Sequence, residues 1–194
     1  MSIHAADRST EDWSIFFRHW LKAPLRIGSA LPSSPRVARA MARQMRLDRP
    51  GAILELGAGT GGITRGLIEA GCPVDRLLMI ESERGLADHL RANFRGARVL
   101  HGDARRAGEL LDANGGREIA SAISSLPIKW FPVEDQRAIV MACLRRLGPG
   151  GYFVQITNAM ASPVAHEALG IAAEEIERVW FHFLPIQVWR YWLA

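Results

Sequence analysis

A glycine-rich segment at residues 53–62 (ILELGAGTGG) has the residue types and spacing of a nucleotide-binding turn. Gly57, Gly59 and Gly61 follow an apolar run and precede a helix-forming one. A turn of this kind lets a ligand approach the free amides at a helix N-terminus. The pattern Gly57-x-Gly59-x-x-Gly62 also satisfies the dinucleotide fingerprint, so the glycines alone leave a nicotinamide or flavin enzyme open.

Three acidic residues stand where consecutive predicted strands end: Glu55, Glu81 and Asp103. Glu55 would sit badly near a pyrophosphate, but it can pair, directly or through water, with the cationic amino group of a methionine moiety. A carboxylate at the second strand can accept both ribose hydroxyls, and one at the third can accept the adenine amino group. The three acids therefore favour S-adenosylmethionine as cofactor, with S-adenosylhomocysteine as product, over a dinucleotide.

After the fourth predicted strand, residues 123–130 (ISSLPIKW) occupy the place that lies beside the transferred methyl in this class of methyltransferase. Enzymes that methylate the amino group of adenine or cytosine carry Asn or Asp, then proline, then an aromatic ring that stacks on the flipped base. Ser125 and Ile128 stand at the first and last of those places. An aliphatic amine is thus a better acceptor than a planar base, although an ordinary strand-to-helix loop would look similar.

These residues are positioned by a regular alternation of short apolar runs and helical stretches. Such an alternation predicts parallel strands that are covered by helices on both faces. Strands are predicted at 52–56, 77–81, 97–100, 119–124 and 151–156, and helices near 61–70, 84–94, 104–112 and 134–147. Residues 163–175 look helical. Aromatic-rich segments at 178–183 and 187–192 predict a closing antiparallel pair around Pro185.

Two helices are predicted before this alternation begins. Residues 9–22 place apolar side chains at i, i+3, i+4, i+7 and i+8, which predicts an amphipathic helix; these are Trp13, Phe16, Phe17, Trp20 and Leu21. A second helix begins at Pro35 and runs to about Met45, with Val37 and Met41 on its inner face. Three arginines, Arg36, Arg39 and Arg43, fall on another face, as a solvated stripe or as part of a basic patch.

Composition limits the class of protein. With 194 residues and 48% hydrophobic content, we expect one domain over residues 1–194. Residues 1–50 hold nine Lys/Arg against four acids, whereas the rest holds 15 against 16, so an anionic partner is expected at the N-terminal quarter. Cys72 and Cys143 lack metal-ligand spacing, and no apolar run approaches the ~18 residues that cross a bilayer. We expect a cytoplasmic protein without a metal.

The combined pattern resembles the bacterial phospholipid N-methyltransferases, which convert phosphatidylethanolamine stepwise towards phosphatidylcholine. Four segments carry the resemblance: 17–24 with the GSALPSS of 28–34, then 55–61 (ELGAGTG), 124–128 (SSLPI) and 188–191 (VWRY). Ser125 departs from the Ser-Gly-Leu-Pro usual in that family.

The resemblance implies a class I methyltransferase fold: an α/β, Rossmann-like, three-layer arrangement with a mostly parallel seven-stranded sheet, an antiparallel C-terminal strand pair and an N-terminal amphipathic helix. The catalytic core would occupy 50–194 and the membrane-associating helix 1–22. The implied cofactor-binding residues are Ser29, Leu31, Glu55, Gly57, Ala58, Gly59, Gly61, Glu81, Ser82, Asp103, Ala104 and Ser124.

The resemblance also implies a monomeric enzyme that attaches reversibly to the inner membrane and meets anionic and zwitterionic phospholipids. The residues implied at the acceptor or the membrane are Trp13, Phe16, Phe17, Trp20, Leu21, Lys22, Ser125, Leu126, Pro127, Arg190 and Tyr191. Apolar side chains would meet the acyl boundary and cations the headgroups. The same apolar stripe would serve equally to cover the protein's own core.

Transfer to an amine requires that a proton leave, because a free alkylamine is mostly protonated near neutral pH. His101, Tyr191, Ser124 and Ser125 are candidates for a base or a positioning group, and the sequence selects none of them. Arg190 could bind lipid phosphate or form a structural ion pair. Two other functions stay open: an RNA adenine methyltransferase of the dimethylase type, against which the missing aromatic ring argues, and a membrane-binding module that keeps the cofactor site only as a sensor.

Overall fold

Seven strands form one mixed sheet in the order β3-β2-β1-β4-β5-β7-β6. The computed structural model of the protein describes residues 35–116, 118–181 and 184–193. The first five strands are parallel to one another, and β7 runs antiparallel to both β5 and β6. The strands are β1 (Ala52–Leu56), β2 (Leu77–Glu81), β3 (Arg98–His101), β4 (Ile119–Ser124), β5 (Phe153–Thr157), β6 (Ala172–Phe181) and β7 (Leu184–Trp192).

The α-helices alternate with the parallel strands as the sequence predicts. They are α1 (Pro35–Ala42), α2 (Gly62–Glu69), α3 (Arg84–Asn93), α4 (Ala107–Ala113), α5 (Val133–Leu144) and α6 (His166–Leu169). The helix predicted near 104–112 is a single 3₁₀ turn at Ala104–Arg106 followed by α4. Every residue of β1, β2, β4 and β5 is buried, as expected for strands covered on both faces.

Helix α1 packs its apolar side on the fold and leaves its arginines outside. Val37 and Met41 are fully buried, and Met45, just after the helix, is nearly so. The backbone amide of Arg46 donates to Ser121 Oγ over 3.0 Å, which ties the end of this segment to β4. Arg36, Arg39 and Arg43 are exposed.

The helical interpretation of residues 163–175 is wrong for most of its length. Only His166–Leu169 is helical, and Gly170 ends this turn in the left-handed region with φ 68°. β6 begins two residues later, at Ala172, although Ala-Ala-Glu-Glu has a helical composition. Pairing along β7 overrides that weak local preference, because strand propensity depends mainly on the neighbouring strand and on burial.

The β6–β7 hairpin projects beyond the rest of the sheet. Thr157, the last residue of β5, is level with Gln187 in β7 and Arg178 in β6. Three further residue pairs continue the hairpin past this level, ending at Phe181 and Leu184. Pro185 therefore lies within β7 rather than between two strands, and it is tolerated because β7 is paired on one side only at this point.

The predicted class I methyltransferase fold is confirmed by this strand order. The predicted N-terminal helix at 9–22 lies outside the described residues. Within the described ranges, no helix combines the length and the apolar character needed to cross a bilayer.

Candidate cofactor and acceptor site

The loop between β1 and α2, residues 57–61, is shaped by its glycines; we call it the glycine loop. Gly57, Gly59 and Gly61 all have positive φ angles, of 71°, 55° and 79°. A Cβ on Gly57 would lie 2.6 Å from Leu126 Cδ2, and one on Gly61 would lie 2.4 Å from a Phe94 ring carbon. A Cβ on Gly59 would meet nothing closer than 4.0 Å, so this part of the loop is open to a ligand.

Glu81 holds the glycine loop from the end of β2. Its carboxylate is almost fully buried, and its Oε2 accepts a hydrogen bond from the amide of Gly59 over 2.9 Å. Oε1 accepts from the amide of Glu83, also over 2.9 Å. An ionised carboxylate has about four lone-pair positions, so both oxygens keep capacity for the hydroxyls of a ribose.

Glu55 faces α2 and is 1% exposed. Thr64 Oγ1 donates to its Oε2 over 2.7 Å, whereas Oε1 has no hydrogen-bond partner among the described residues. Burial raises the pKa of Glu55 to about 8, against the opposing effect of the Thr64 hydrogen bond. A buried carboxyl with one unsatisfied oxygen fits the expected pairing with the cationic amino group of the cofactor, because a nearby cation favours the ionised form.

Asp103 is partly exposed at the end of β3 and is already engaged by its neighbour Arg105. The amide of Arg105 donates to Asp103 Oδ1 over 2.8 Å, and the Arg105 guanidinium binds Oδ2. Burial alone would raise the pKa of Asp103, but these hydrogen bonds outweigh it and leave the pKa below its usual value. The sequence does not reveal that this acid is held by the residue two positions further on.

The three acids lie at the carboxyl ends of three adjacent strands, in the order β3-β2-β1. Parallel strands bring these ends to one edge of the sheet, which we call the carboxyl edge, and ligands of open α/β sheets bind there. Of the smaller predicted contacts, Ala58 and Ala104 are buried beside this edge, and the carbonyl of Ser82 lies 3.1 Å from His101 Nε2. The structure thus assembles the expected cofactor residues that it describes.

Residues 124–128, the acceptor lip, are fastened to the glycine loop and to β5. Ser125 Oγ donates to the carbonyl of Gly57 over 2.9 Å. Gln155 Nε2 donates to the carbonyl of Leu126 over 2.9 Å, and Ser124 Oγ accepts from the Leu126 amide. Lip and glycine loop therefore form one connected unit. Pro127, within the lip, is buried.

Three residues beside the lip were missed by the sequence reasoning. Lys129 Nζ donates to Asn158 Oδ1 over 3.0 Å and lies 4.9 Å from the centre of the Trp130 ring. Asn158 follows β5, so its proximity to Lys129 depends on the pairing of β4 with β5. The sequence shows that a lysine and a tryptophan follow the lip, but not that they meet a polar residue 29 positions away.

Arg190 and Tyr191 do not reach the lip, contrary to the interpretation from the sequence. Both pair with the amino end of β5, with Tyr191 opposite Phe153, while the lip lies at the opposite end of the neighbouring strand. Tyr191 is fully buried, its hydroxyl lies 2.9 Å from Ser162 Oγ, and burial raises its pKa. Arg190 forms the structural ion pair, with Glu174.

His101 is also remote from the lip, because β3 and β4 are separated by two strands. Among the residues that the structure describes, no group of three or more His, Cys, Asp or Glu is arranged to hold a metal ion. The remaining predicted contacts lie outside the described residues: Ser29, Leu31, Trp13, Phe16, Phe17, Trp20, Leu21 and Lys22.

Comparison with curated proteins finds a relative of similar length. The chain is 32% identical over 151 residues to the ornithine lipid N-methyltransferase of Singulisphaera acidiphila. The alignment covers 76% of this chain and 79% of that protein. No family model matches.

Solved methyltransferase structures share the fold. An O-methyltransferase from Bacillus cereus in complex with S-adenosylhomocysteine has a TM-score of 0.64 at 15% identity, covering 90% of each chain. The glycopeptide N-methyltransferase MtfA in complex with S-adenosylmethionine has a TM-score of 0.61 at 14% identity, covering 82% of this chain and 94% of that one. TrmN from Thermus thermophilus has a TM-score of 0.62 at 19% identity, and the match covers 84% of this chain and 50% of that one.

Proposed function

Because the chain belongs to the same family as the Singulisphaera ornithine lipid N-methyltransferase and is an S-adenosylmethionine-dependent methyltransferase, we propose that it methylates the amine of a membrane lipid headgroup. Our first candidate acceptor is phosphatidylethanolamine with its methylated derivatives, leading towards phosphatidylcholine. The observation that carries the proposal is the 32% identity to a lipid N-methyltransferase, which extends over three quarters of the chain.

The acceptor lip supports an aliphatic amine. Ile128, which stands where base-methylating enzymes carry a stacking ring, is 1% exposed and packs into the core. Ser125 uses its hydroxyl to bind the Gly57 carbonyl, so it does not take the role of the Asn or Asp of those enzymes. Nothing in the described residues favours an RNA adenine as acceptor.

The cofactor, when bound, supplies a sulfonium methyl group. The residues described above would hold its parts: Glu55 the amino group, Glu81 the ribose and Asp103 the adenine. An acceptor amine would take this methyl on its nitrogen lone pair and give up one proton, and S-adenosylhomocysteine would leave as the product. Holding the two reacting groups in line is the main contribution required of the protein.

The lip meets this requirement by being rigid. Its backbone is held by Ser125 on one side and by Gln155 on the other, so its carbonyls have fixed directions. A buried amine beside such a lip has a lowered pKa, because desolvation disfavours the ammonium form. No ionisable base is required at the lip if the amine loses its proton to water as it enters.

An ornithine lipid is the second candidate acceptor, since the relative is named for that substrate. Both lipids carry an amine a few bonds from an anion, a phosphate in one and a carboxylate in the other. Lys129, beside the lip, has the charge to attract either anion. We therefore expect the preference between the two headgroups to depend on the distance between the amine and the anion.

A direct assay decides among the acceptors. The purified protein would be incubated with methyl-labelled cofactor and vesicles of phosphatidylethanolamine, vesicles of an ornithine lipid, or ribosomal RNA. We expect label in lipid, with mass spectrometry giving the number of methyls added. Label in RNA alone would end the lipid proposal, and tight cofactor binding without turnover on any amine lipid would favour the sensor function.

We also propose that the predicted N-terminal helix attaches the protein reversibly to the cytoplasmic face of the membrane. The support is its sequence, which offers Trp13, Phe16 and Trp20 on one side with Arg18 and Lys22 nearby. Attachment should weaken in high salt. Deleting residues 1–22 should reduce vesicle binding and lipid turnover; if both stay unchanged, this part of the proposal is wrong.

A further inference from the structure

Exposed apolar side chains gather at one edge of the described structure. Of the five large apolar residues that the described part of the chain exposes, four follow the carboxyl ends of strands or lie beyond them. Trp130 and Val133 follow β4, Met160 follows β5, and Trp180 stands on the projecting part of the hairpin. Their exposures run from 42% for Val133 to 72% for Met160, so they do not serve the core.

A basic groove of about 370 Å³ opens beside Trp180. Four arginines, one glutamate and two apolar residues line it: Arg36, Arg39, Arg43, Arg178, Glu177, Val179 and Trp180. The four cations against one anion give the groove a balance of +3. It lies between α1 and β6.

Two of these arginines have no anionic partner among the described residues. Arg43 pairs with Glu177, and Arg178 pairs with Glu175. Arg36 and Arg39 are exposed and make no ion pair or side-chain hydrogen bond within the part of the chain that the structure describes. Because α1 rises about 1.5 Å per residue, Arg36 lies roughly 10 Å from Arg43 along the helix.

Cations beside exposed tryptophan match the chemistry of a bilayer surface. Tryptophan favours the headgroup level of a membrane, and arginine there binds lipid phosphates. A single-stranded nucleic acid would instead require a basic track interleaved with stacking rings. Here Trp180 lines the groove with the arginines, whereas Trp130 follows β4 elsewhere along the carboxyl edge.

We propose that the carboxyl edge is a membrane-docking rim, in which Trp130, Met160 and Trp180 enter the headgroup layer while Arg36 and Arg39 bind the phosphates of anionic lipids. The choice of a bilayer as occupant rests on the proposed lipid acceptor. The acceptor lip lies at this same edge, so a docked protein presents its lip to the bilayer and a lipid amine reaches it without leaving the membrane.

Vesicle binding by the full chain tests the rim. The variants are Arg36→Gln with Arg39→Gln, and Met160→Ser with Trp180→Ser. The matched control is Arg95→Gln with Arg145→Gln, which removes two exposed arginines outside the groove. Each would be sedimented with phosphatidylcholine vesicles that contain, or lack, about one-third phosphatidylglycerol.

We expect the groove double variant to lose about 25-fold in partitioning to the anionic vesicles and little to the neutral ones, since each cation near such a surface contributes about fivefold. The apolar double variant should lose binding to both vesicle types, and the control should change less than about twofold. If the groove variant binds anionic vesicles as the control does, the proposal is overturned.

Two further measurements distinguish binding of other anions from binding to a membrane. Titration of inorganic phosphate should show weak binding at most; saturation by phosphate, with vesicle binding unchanged in the groove variant, would mean an anion site rather than a docking rim. A gel-shift with a short RNA should show no groove-dependent binding. Loss of RNA binding in the groove variant, without loss of vesicle binding, would also overturn the proposal.

Rates of methyl transfer distinguish an error in the docking-rim proposal from an error in the proposed function. On a short-chain phosphatidylethanolamine kept monomeric in solution, the groove variant should turn over like the wild type, while its rate on vesicles falls. If no amine lipid accepts a methyl, the proposed function fails, yet the vesicle-binding results still decide the rim. Unchanged affinity for S-adenosylhomocysteine shows that each variant is folded.

Discussion

The cofactor side and the acceptor side of the carboxyl edge each keep one buried oxygen without a hydrogen-bond partner among the described residues. On the cofactor side it is Glu55 Oε1, and on the acceptor side it is Gln155 Oε1. The first belongs to an ionisable carboxyl, whereas the second belongs to a neutral amide. From this comparison we expect the cofactor side to respond to charge and pH at Glu55, whereas neutral hydrogen bonds hold the backbone of the lip on the acceptor side.

The strongest test of the cofactor side is Glu81→Ala. The variant removes the acceptor for two backbone amides and the expected ribose contact, so the affinity for S-adenosylhomocysteine should fall by about a thousandfold, roughly 4 kcal/mol. Calorimetric titration measures it. Glu69→Ala, at an exposed position on α2, is the control and should bind like the wild type. A loss of less than tenfold would show that Glu81 does not hold the cofactor.

Gly57→Ala tests whether the two sides are joined. The added Cβ would meet Leu126 of the lip at 2.6 Å and take a positive φ, so stability should fall by about 3 kcal/mol in urea unfolding. At Gly71 the φ angle is also positive, but an added Cβ would meet no atom within 4 Å. The free energy of unfolding of Gly71→Ala should therefore fall by only about 1 kcal/mol, from backbone strain. Equal losses in the two variants would mean that glycine loop and lip are not in close contact.

Glu55→Gln tests the charge dependence of the cofactor side. With its pKa raised from 4.5 to about 8, folded Glu55 binds more protons than unfolded Glu55 between those values, so stability falls as pH rises through this window. Glutamine cannot ionise. The variant should match the wild type near pH 5 and exceed it by about 3 kcal/mol near pH 8 in thermal unfolding.

Cofactor binding adds a second measurement at Glu55. If the amino group of the cofactor pairs with this carboxyl, its pKa falls on binding, and close to one proton is released near neutral pH. Calorimetry in two buffers of different ionisation enthalpy detects that proton. Release of equal size from Glu55→Gln would assign the proton to another group and remove Glu55 from the cofactor site.

Ser125→Ala has the smallest expected effect and tests the acceptor side. It removes the hydrogen bond to the Gly57 carbonyl, so kcat/KM for the lipid should fall about fivefold, close to 1 kcal/mol. Cofactor affinity should fall by a smaller factor, about twofold, because the same hydrogen bond holds the Gly57 end of the glycine loop. The pH profile of stability should stay unchanged. Ser162→Ala, whose hydroxyl contacts Tyr191 away from the lip, is the control. A shift in cofactor affinity without a shift in lipid turnover would contradict the division between the two sides.

The sequence predicts the cofactor side better than the acceptor side for a physical reason. β1, β2 and β4 begin and end where the apolar runs predict, because parallel strands buried on both faces leave a strong local pattern. Acids at the ends of such strands must share one edge. Position along the chain is then enough to bring Glu55, Glu81 and Asp103 together.

The acceptor side depends on pairings between distant segments, which leave no local pattern. The contact of Lys129 with Asn158 follows from the pairing of β4 with β5. Arg190 and Tyr191 were misplaced because antiparallel pairing puts the end of β7 beside the start of β5. The early start of β6 was missed for the same reason, since only β7 reveals it.

The hydrogen bond between Ser125 and the Gly57 carbonyl limits how this enzyme can acquire a new acceptor. Substitutions within the lip also disturb the loop that holds the cofactor, so a lineage that altered its acceptor there would lose methyl-donor affinity at the same step. Lys129 and Asn158 lie just beyond this coupled segment. Divergence of headgroup preference among relatives, and its redesign in the laboratory, should therefore begin at these two positions.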